Sequence, residues 1–556
     1  MKALTKPKRT TVISIFIVFT VHIIFISCNM TKQQADLIVI NGTVYTCDSL
    51  FTKVESFAVK DGKIIATGST KDILSVYSSK NIYDAEGKFI YPGFYDAHCH
   101  FLSYGLNKEL YADLSGLESV DEVIQRLKGF SENHNCEWIQ GRGWNQNLWE
   151  TKEFPTKEQL DVHFPDIPVY LTRIDGHAAW VNSKALEIAQ INANTKVEGG
   201  KILLTNGQPN GVLIDEAMTL VRKHIPSPDQ ETKIKALMRA QEDCFAYGLT
   251  SVADAGLSVE NIRLIDSLHN TSDLEIRIYA MLEPGCEGFD DFVKNGIYTT
   301  ERLTVRSIKI YADGALGSRG ACLLEDYSDE PGNRGVMVNT IDYMHTIARL
   351  AHEYGWQLCV HAIGDSANRQ MLKLYADVLG GPNDLRWRIE HAQCIHPDDF
   401  QYFALFNIIP SIQTTHATSD MYWAEKRLGT ERAKYAYAYK KLLELNGWLC
   451  NGTDFPVEQI NPFLTFYSAV SRQDINKFPE NGFQIENALS RMETLLSMTI
   501  WAAKAAFVED VKGSIEAGKW ADFIVLDQDL METDIYNIPS MKVLETFVAG
   551  NSVYKK

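Results

Sequence analysis

Two histidines two residues apart, His98 and His100, close the run Tyr91-Pro92-Gly93-Phe94-Tyr95-Asp96-Ala97-His98-Cys99-His100. On a strand, residues two apart face the same side, so both imidazoles can hold one ion while Cys99 points away as a packing residue. Alone, a His-x-His pair is weak evidence of a metal site. Three further motifs strengthen it: Val360-His361-Ala362-Ile363-Gly364-Asp365, Arg388-Ile389-Glu390-His391-Ala392-Gln393 and Asn451-Gly452-Thr453-Asp454-Phe455-Pro456. Each puts a histidine or an acid at the end of a short apolar run. Any one of these histidines would more often be a satisfied core residue, and Asp454 alone would read as a helix cap. Together, His98, His100, His361, His391 and Asp454 fit one or two divalent metal ions. Zinc suits the imidazole and carboxylate donors best, although manganese, iron or nickel would also fit.

Such groups converge only if the strands that carry them end at one place. The centre of the chain alternates apolar strand runs with helical patterns such as Ile341 to Tyr354 and Ala362 to Val378, which predicts a parallel α/β sheet. Eight strands are expected, at Phe89 to Asp96 and near 249–254, 275–281, 305–311, 356–361, 386–391, 407–412 and 447–453. That count predicts a (β/α)8 TIM-like barrel over 89–504, whose C-terminal strand ends form the active face. The gap after the first strand is too long for one crossover. Residues 101–245 are therefore expected to hold an inserted subdomain, with strands at 137–141 and 168–173. Trp144, Arg173 and His177 lie in that insertion, and His416 follows the seventh strand. All four are expected to contact substrate at the mouth, with an ordinary polar loop network as the alternative.

The two ends of the chain read differently. Asn41-Gly42 and Asp61-Gly62 each separate β-rich runs and predict hairpins. Short strands recur at Ala521 to Leu526 and at Val543 to Val553. Neither stretch can bury a core alone, so residues 35–88 and 505–556 are expected to form one small β-sandwich domain.

The first residues carry an address. Lys2, Lys6, Lys8 and Arg9 precede an uncharged run from Thr11 to Ile26, too short for a bilayer span of about 20 residues. Phe25-Ile26-Ser27-Cys28 resembles a bacterial lipobox, which implies a signal peptide over 1–27, a lipidated Cys28 and a linker over 28–34. An uncleaved anchor or a plain signal is the alternative. The chain would then be exported and held to a membrane of the bacterial envelope by lipid alone. Of 54 basic and 71 acidic residues in the 556-residue chain, four basic ones leave with the signal, changing the net charge from −17 to −21. This acidity excludes nucleic acid as a partner. The ten cysteines contain no Cys-x-x-Cys pair and read as buried free thiols. The pattern leaves the oligomeric state open, a homo-oligomer included.

These motifs, with Asp175-Gly176-His177, Trp180-Val181-Asn182-Ser183 and Lys309-Ile310-Tyr311-Ala312-Asp313-Gly314, resemble the amidohydrolase superfamily. Within it the resemblance is to the YtcJ-like branch related to N-substituted formamide deformylases, over essentially the whole mature chain. The resemblance implies that His98, His100 and Asp454 hold the more buried ion and that His361 and His391 hold the second. It also implies that Lys309 is carboxylated and bridges both. The alternative for Lys309 is an ammonium paired with Asp313 or a substrate carboxylate, in a one-metal site. The expected function is hydrolysis of a non-peptide amide bond in a small molecule by a metal-activated hydroxide, with Asp454 moving the proton. A deaminase or cyclic-amide hydrolase on the same scaffold, or a non-catalytic lipid-anchored binding protein, are the competing expectations.

Overall fold

A computed structural model describes residues 32–134, 137–174, 176–197 and 200–556. The expected signal run and Cys28 lie outside the described residues.

Eight parallel strands pair in chain order around a barrel. They are β1 (Phe94–Cys99), β2 (Leu249–Leu257), β3 (Arg277–Leu282) and β4 (Leu303–Tyr311), followed by β5 (Gln357–Ala362), β6 (Arg388–His391), β7 (Ile409–Ile412) and β8 (Cys450–Asn451). The last strand returns to the first at its C-terminal end. There Asp454 N–H donates to His98 O at 2.8 Å, and His100 N–H donates to Phe455 O at 2.8 Å. Helices pack outside in the expected places. In Ile341–Glu353 the buried residues Met344, Ile347, Ala348 and Ala351 fall at helical spacing, and the Thr340 side chain caps the first turn.

The apolar run at Phe89 to Asp96 is two strands rather than one. Phe89–Pro92 pairs with Phe523–Leu526 in a six-stranded sheet, and the barrel strand starts at Phe94. Gly93 makes the transfer possible, because a Cβ there would lie 2.3 Å from Thr250 Oγ1. The six-stranded sheet, which joins strands from both ends of the chain, faces a four-stranded one. Between them lie Val39, Phe57, Val59, Ile90, Phe523 and Phe547. A buried fork ties this layer to the barrel: Arg277 on β3 donates from Nε and Nη2 to the two oxygens of Asp522, at 2.6 and 3.0 Å.

One hairpin expectation fails and the other holds. Asp61-Gly62, both at positive φ, joins antiparallel strands Ser56–Lys60 and Lys63–Gly68. Asn41-Gly42 makes no hairpin, since Leu37–Ile40 lies in the four-stranded sheet and Thr43–Tyr45 in the six-stranded one. Gly42 N–H bonds to Glu55 O, and Ile40 O accepts from Ala85, so the backbone groups go to other strands.

Between β1 and β2 the chain builds a separate six-stranded sheet from strands between Tyr111 and Asp215. The helices that flank it, Phe101–Leu110 and Gln230–Ala246, belong to the barrel's apolar core. They approach so closely that a Cβ on Gly105 would meet Ala236 O at 2.0 Å. The described cysteines are all free thiols. Among the described residues no helix is long and apolar enough to cross a membrane.

Candidate metal centre

The C-terminal ends of the strands bring the metal-competent side chains together. Asp454, just beyond β8, divides them between its two oxygens. Oδ1 lies 3.6 Å from His98 Nε2 and 3.4 Å from His100 Nε2. Oδ2 lies 3.1 Å from His416 Nε2 and 4.0 Å from His391 Nδ1. Two sets with ion-holding spacing result, His98 with His100 and Asp454, and His391 with His416 and Asp454. The ring of His361, at the end of β5, stands 4.5 Å from that of His391. Lys309 on β4 is buried, with Nζ 3.4 Å from His98 Nε2 and 4.9 Å from the centre of the Tyr311 ring.

His98, His100 and His416 are fixed through their second nitrogen, and His391 through the same Nδ1 that faces Asp454. His98 Nδ1 meets Glu390 Oε2 at 2.5 Å, and His100 Nδ1 meets Ala255 O at 3.0 Å. His391 Nδ1 meets Gln413 Oε1 at 2.7 Å, and His416 Nδ1 meets Glu458 Oε1 at 3.3 Å. Partners of this kind set the tautomer and ring angle of a metal ligand. Asp96 holds the backbone beneath. It accepts from His98 N–H at 3.1 Å and from the Thr453 hydroxyl at 2.7 Å, joining β1 to the end of β8. His391 and Asp454 both adopt left-handed backbone, at φ +73° and +63°, a conformation that costs about 1–3 kcal/mol each and that clusters at functional sites.

Electrostatics favour lone pairs over protons. Burial pushes His98 down to about 4 and His361 to about 3, with Lys309 adding to both, and burial holds His391 well below its usual value. These imidazoles are therefore neutral at pH 7, the form that binds a metal. Burial also lowers Lys309. Asp454 stays ionised: burial would raise it, but the imidazoles of His100 and His416 beside it hold it well below the carboxylate range. Burial opposes a charge on His416 too, yet its bonds to Asp454 and Glu458 prevail and raise it to about 10. Two buried polar atoms, His361 Nε2 and Asp454 Oδ1, have no hydrogen-bond partner. Orphaned lone pairs beside neutral imidazoles and an ionised carboxylate fit a divalent cation.

The expected substrate contacts fare unevenly. Trp144 is a correction. Its ring is fully buried against Trp149, Trp180 and Phe154 in the core of the inserted sheet, and its indole N–H donates to Leu171 O at 2.8 Å. An aromatic between polar neighbours looked like a pocket wall, but the alternation of the strand turns it inward. Arg173 donates from Nε to Gln146 at 2.9 Å, and the exposed His177 meets Asp215 at 2.9 Å. His416 sits at the site itself, against Asp454.

The sequence reading gave no role to Glu390, Gln413, Glu458 or Asp96. A signal existed for the first: Arg388 and Glu390 alternate as charges on a strand whose neighbours are apolar, so both face inward.

Gly452 offers a test of this packing. A Cβ there would stand 2.5 Å from His98 N and 2.7 Å from Asp96 Oδ1, in the seam between β8 and β1. Gly452→Ala is expected to spread that seam and weaken the binding of a divalent ion by about tenfold or more, as losses of ligand-orienting contacts do. Equilibrium titration against a chelator measures this, and unchanged affinity would count against the seam.

The sequence pattern of the Amidohydrolase family matches residues 81–554. The chain belongs to the amidohydrolase family. YtcJ of Bacillus subtilis (strain 168), an amidohydrolase by name, is 32% identical over 93% of this chain and 98% of its own length. The N-substituted formamide deformylase of Arthrobacter pascens is 25% identical over 94% of this chain and 99% of its own. Among solved structures, an uncharacterized metal-dependent hydrolase from Pyrococcus horikoshii OT3 superimposes with a TM-score of 0.77. It is 29% identical and covers 90% of this amidohydrolase and 99% of its own chain. The family makes the protein a hydrolase, and the solved structure it resembles is described as a metal-dependent one.

Proposed function

We propose that this amidohydrolase cleaves a non-peptide amide C–N bond in a small molecule. The observation that carries the reading is the position of Asp454, with one oxygen facing His98 and His100 and the other facing His391 and His416. His98, His100 and Asp454 would hold one divalent ion, and His361 and His391 a second, with Lys309 as a carbamate between them. Zinc suits these donors best. Bound there, such ions polarise a carbonyl and lower the pKa of a water.

The chain's own residues handle the proton. Asp454 takes it from the attacking water on Oδ2 and returns it to the leaving nitrogen, so that a carboxylate and an amine depart. His416, 3.1 Å from Oδ2, steadies that oxygen between the two transfers. The lowered pKa of Lys309 favours the neutral amine from which a carbamate forms. The relative named N-substituted formamide deformylase supports an amide as the scissile bond.

The test is a screen of N-formyl amines, N-acyl amines, N-acyl amino acids and amino-substituted heterocycles with zinc-loaded protein, reading amine, ammonia and carboxylate together. Release of both in equal amounts is the expected result. Ammonia from an amino-substituted heterocycle would replace this reading with the deaminase one, and no turnover with any substrate would favour a binding protein.

We also propose that the protein is exported and lipid-anchored through Cys28, on the basic head, short apolar run and Ser27-Cys28 junction. Cys28→Ala is expected to move the protein from the membrane to the soluble fraction of its native host. Unchanged membrane partition would rule the anchor out.

A further inference from the structure

Inside the barrel, beneath the metal-competent groups, lies a fully buried charged pair that the proposed chemistry does not use. Glu390 and Arg388 lie on β6, at 0% and 1% exposure. Arg388 Nη2 donates to Glu390 Oε2 at 3.0 Å, and its Nε lies 2.7 Å from Oε1 in ion-pair contact. The same Nη2 reaches β1 at Ala97 O, 2.6 Å away, and β7 at Ser411 Oγ, 2.7 Å away. Glu390 Oε2 then meets His98 Nδ1 at 2.5 Å. A single guanidinium thus braces the carboxylate and also holds the residue that precedes His98.

Burying two charges in a barrel is expensive, and apolar residues of similar volume would often stabilise the fold as well or better. The pair therefore needs a reason beyond stability. The geometry supplies one. An ionised carboxylate only accepts, so His98 must place its proton on Nδ1 and leave the Nε2 lone pair facing Asp454, His100 and Lys309.

We infer that Glu390, braced by Arg388, is a positioning residue that fixes the His98 tautomer and ring for metal binding through Nε2. This rests on the reading of His98 as a metal ligand in the proposed function. Glutamine at position 390 cannot do the same work. With its NH2 toward His98 it donates to Nδ1 and moves the imidazole proton to Nε2, capping the lone pair. With its NH2 in the place of Oε1 it opposes the Arg388 Nε–H and breaks the brace.

The test measures zinc affinity by chelator competition and the visible spectrum of the cobalt-loaded protein, in wild type, Glu390→Gln, Glu390→Asp, His98→Asn and the double variant His98→Asn/Glu390→Gln. Circular dichroism of the metal-free proteins checks that each is folded. Glu390→Gln is expected to weaken zinc roughly 10- to 100-fold and to alter the cobalt spectrum, the size typical of losing a ligand's outer partner. Glu390→Asp, which keeps the charge, is expected to recover part of the loss. In the His98→Asn background Glu390→Gln is expected to have little further effect, because its action runs through His98. Wild-type affinity and spectrum in a folded Glu390→Gln protein would overturn the inference, as would an equal loss with and without His98. If wild type itself holds no ion, it is the metal reading that fails.

Discussion

Asp454→Asn is expected to lower kcat by roughly 10²–10⁴-fold, the range that a positioned proton-transfer group contributes. The substitution is nearly isosteric, and asparagine tolerates the left-handed backbone at φ +63° better than other side chains. The backbone bond from residue 454 to His98 O, which closes the barrel, does not involve the side chain. Folding should therefore persist while turnover is lost. The amide can face either set of histidines with its oxygen but cannot accept and return a proton. Steady-state kinetics on the substrate found by the screen, beside a thermal melt, read the two effects separately. Turnover near wild type would remove Asp454 from its proton-handling role.

Lys309→Met carries the second largest expected effect. The side chain is buried, so a methionine of similar length replaces it with little strain, and stability is expected to hold or rise. Activity is expected to fall about 10²-fold or more, because a lost Lewis-acid contact forfeits several kcal/mol. Metal content is expected to fall with it. Restored bicarbonate should raise the activity of bicarbonate-depleted wild type and leave the variant unchanged. If the variant keeps wild-type metal content and turnover, Lys309 is an ammonium and not a bridge.

The barrel was legible because its strands are short apolar runs that end in polar motifs, a local pattern. His98, His100, His361, His391 and Asp454 could be placed at one mouth because the barrel rule assigns a side to every strand end. The misreadings have equally specific causes. The run from Phe89 to Asp96 is continuous in hydrophobicity, and only the close pass of Gly93 against Thr250 divides it between two sheets. Asn41-Gly42 has hairpin chemistry, but its neighbours find partners elsewhere. Trp144 stood among polar residues, yet strand alternation sends it into the core. Partners such as Glu390 for His98 are 292 positions apart, and no window of sequence shows that contact.

The central claim is that the side chains gathered around Asp454 form a metal centre. The most direct measurement is the metal content of the purified protein by mass spectrometry, after zinc loading and removal of free metal, beside the His98→Asn/His100→Asn double variant. At least one tightly held ion per wild-type chain is expected, with a clear loss in the variant. Less than one ion per chain in wild type, or equal content in both proteins, would contradict it.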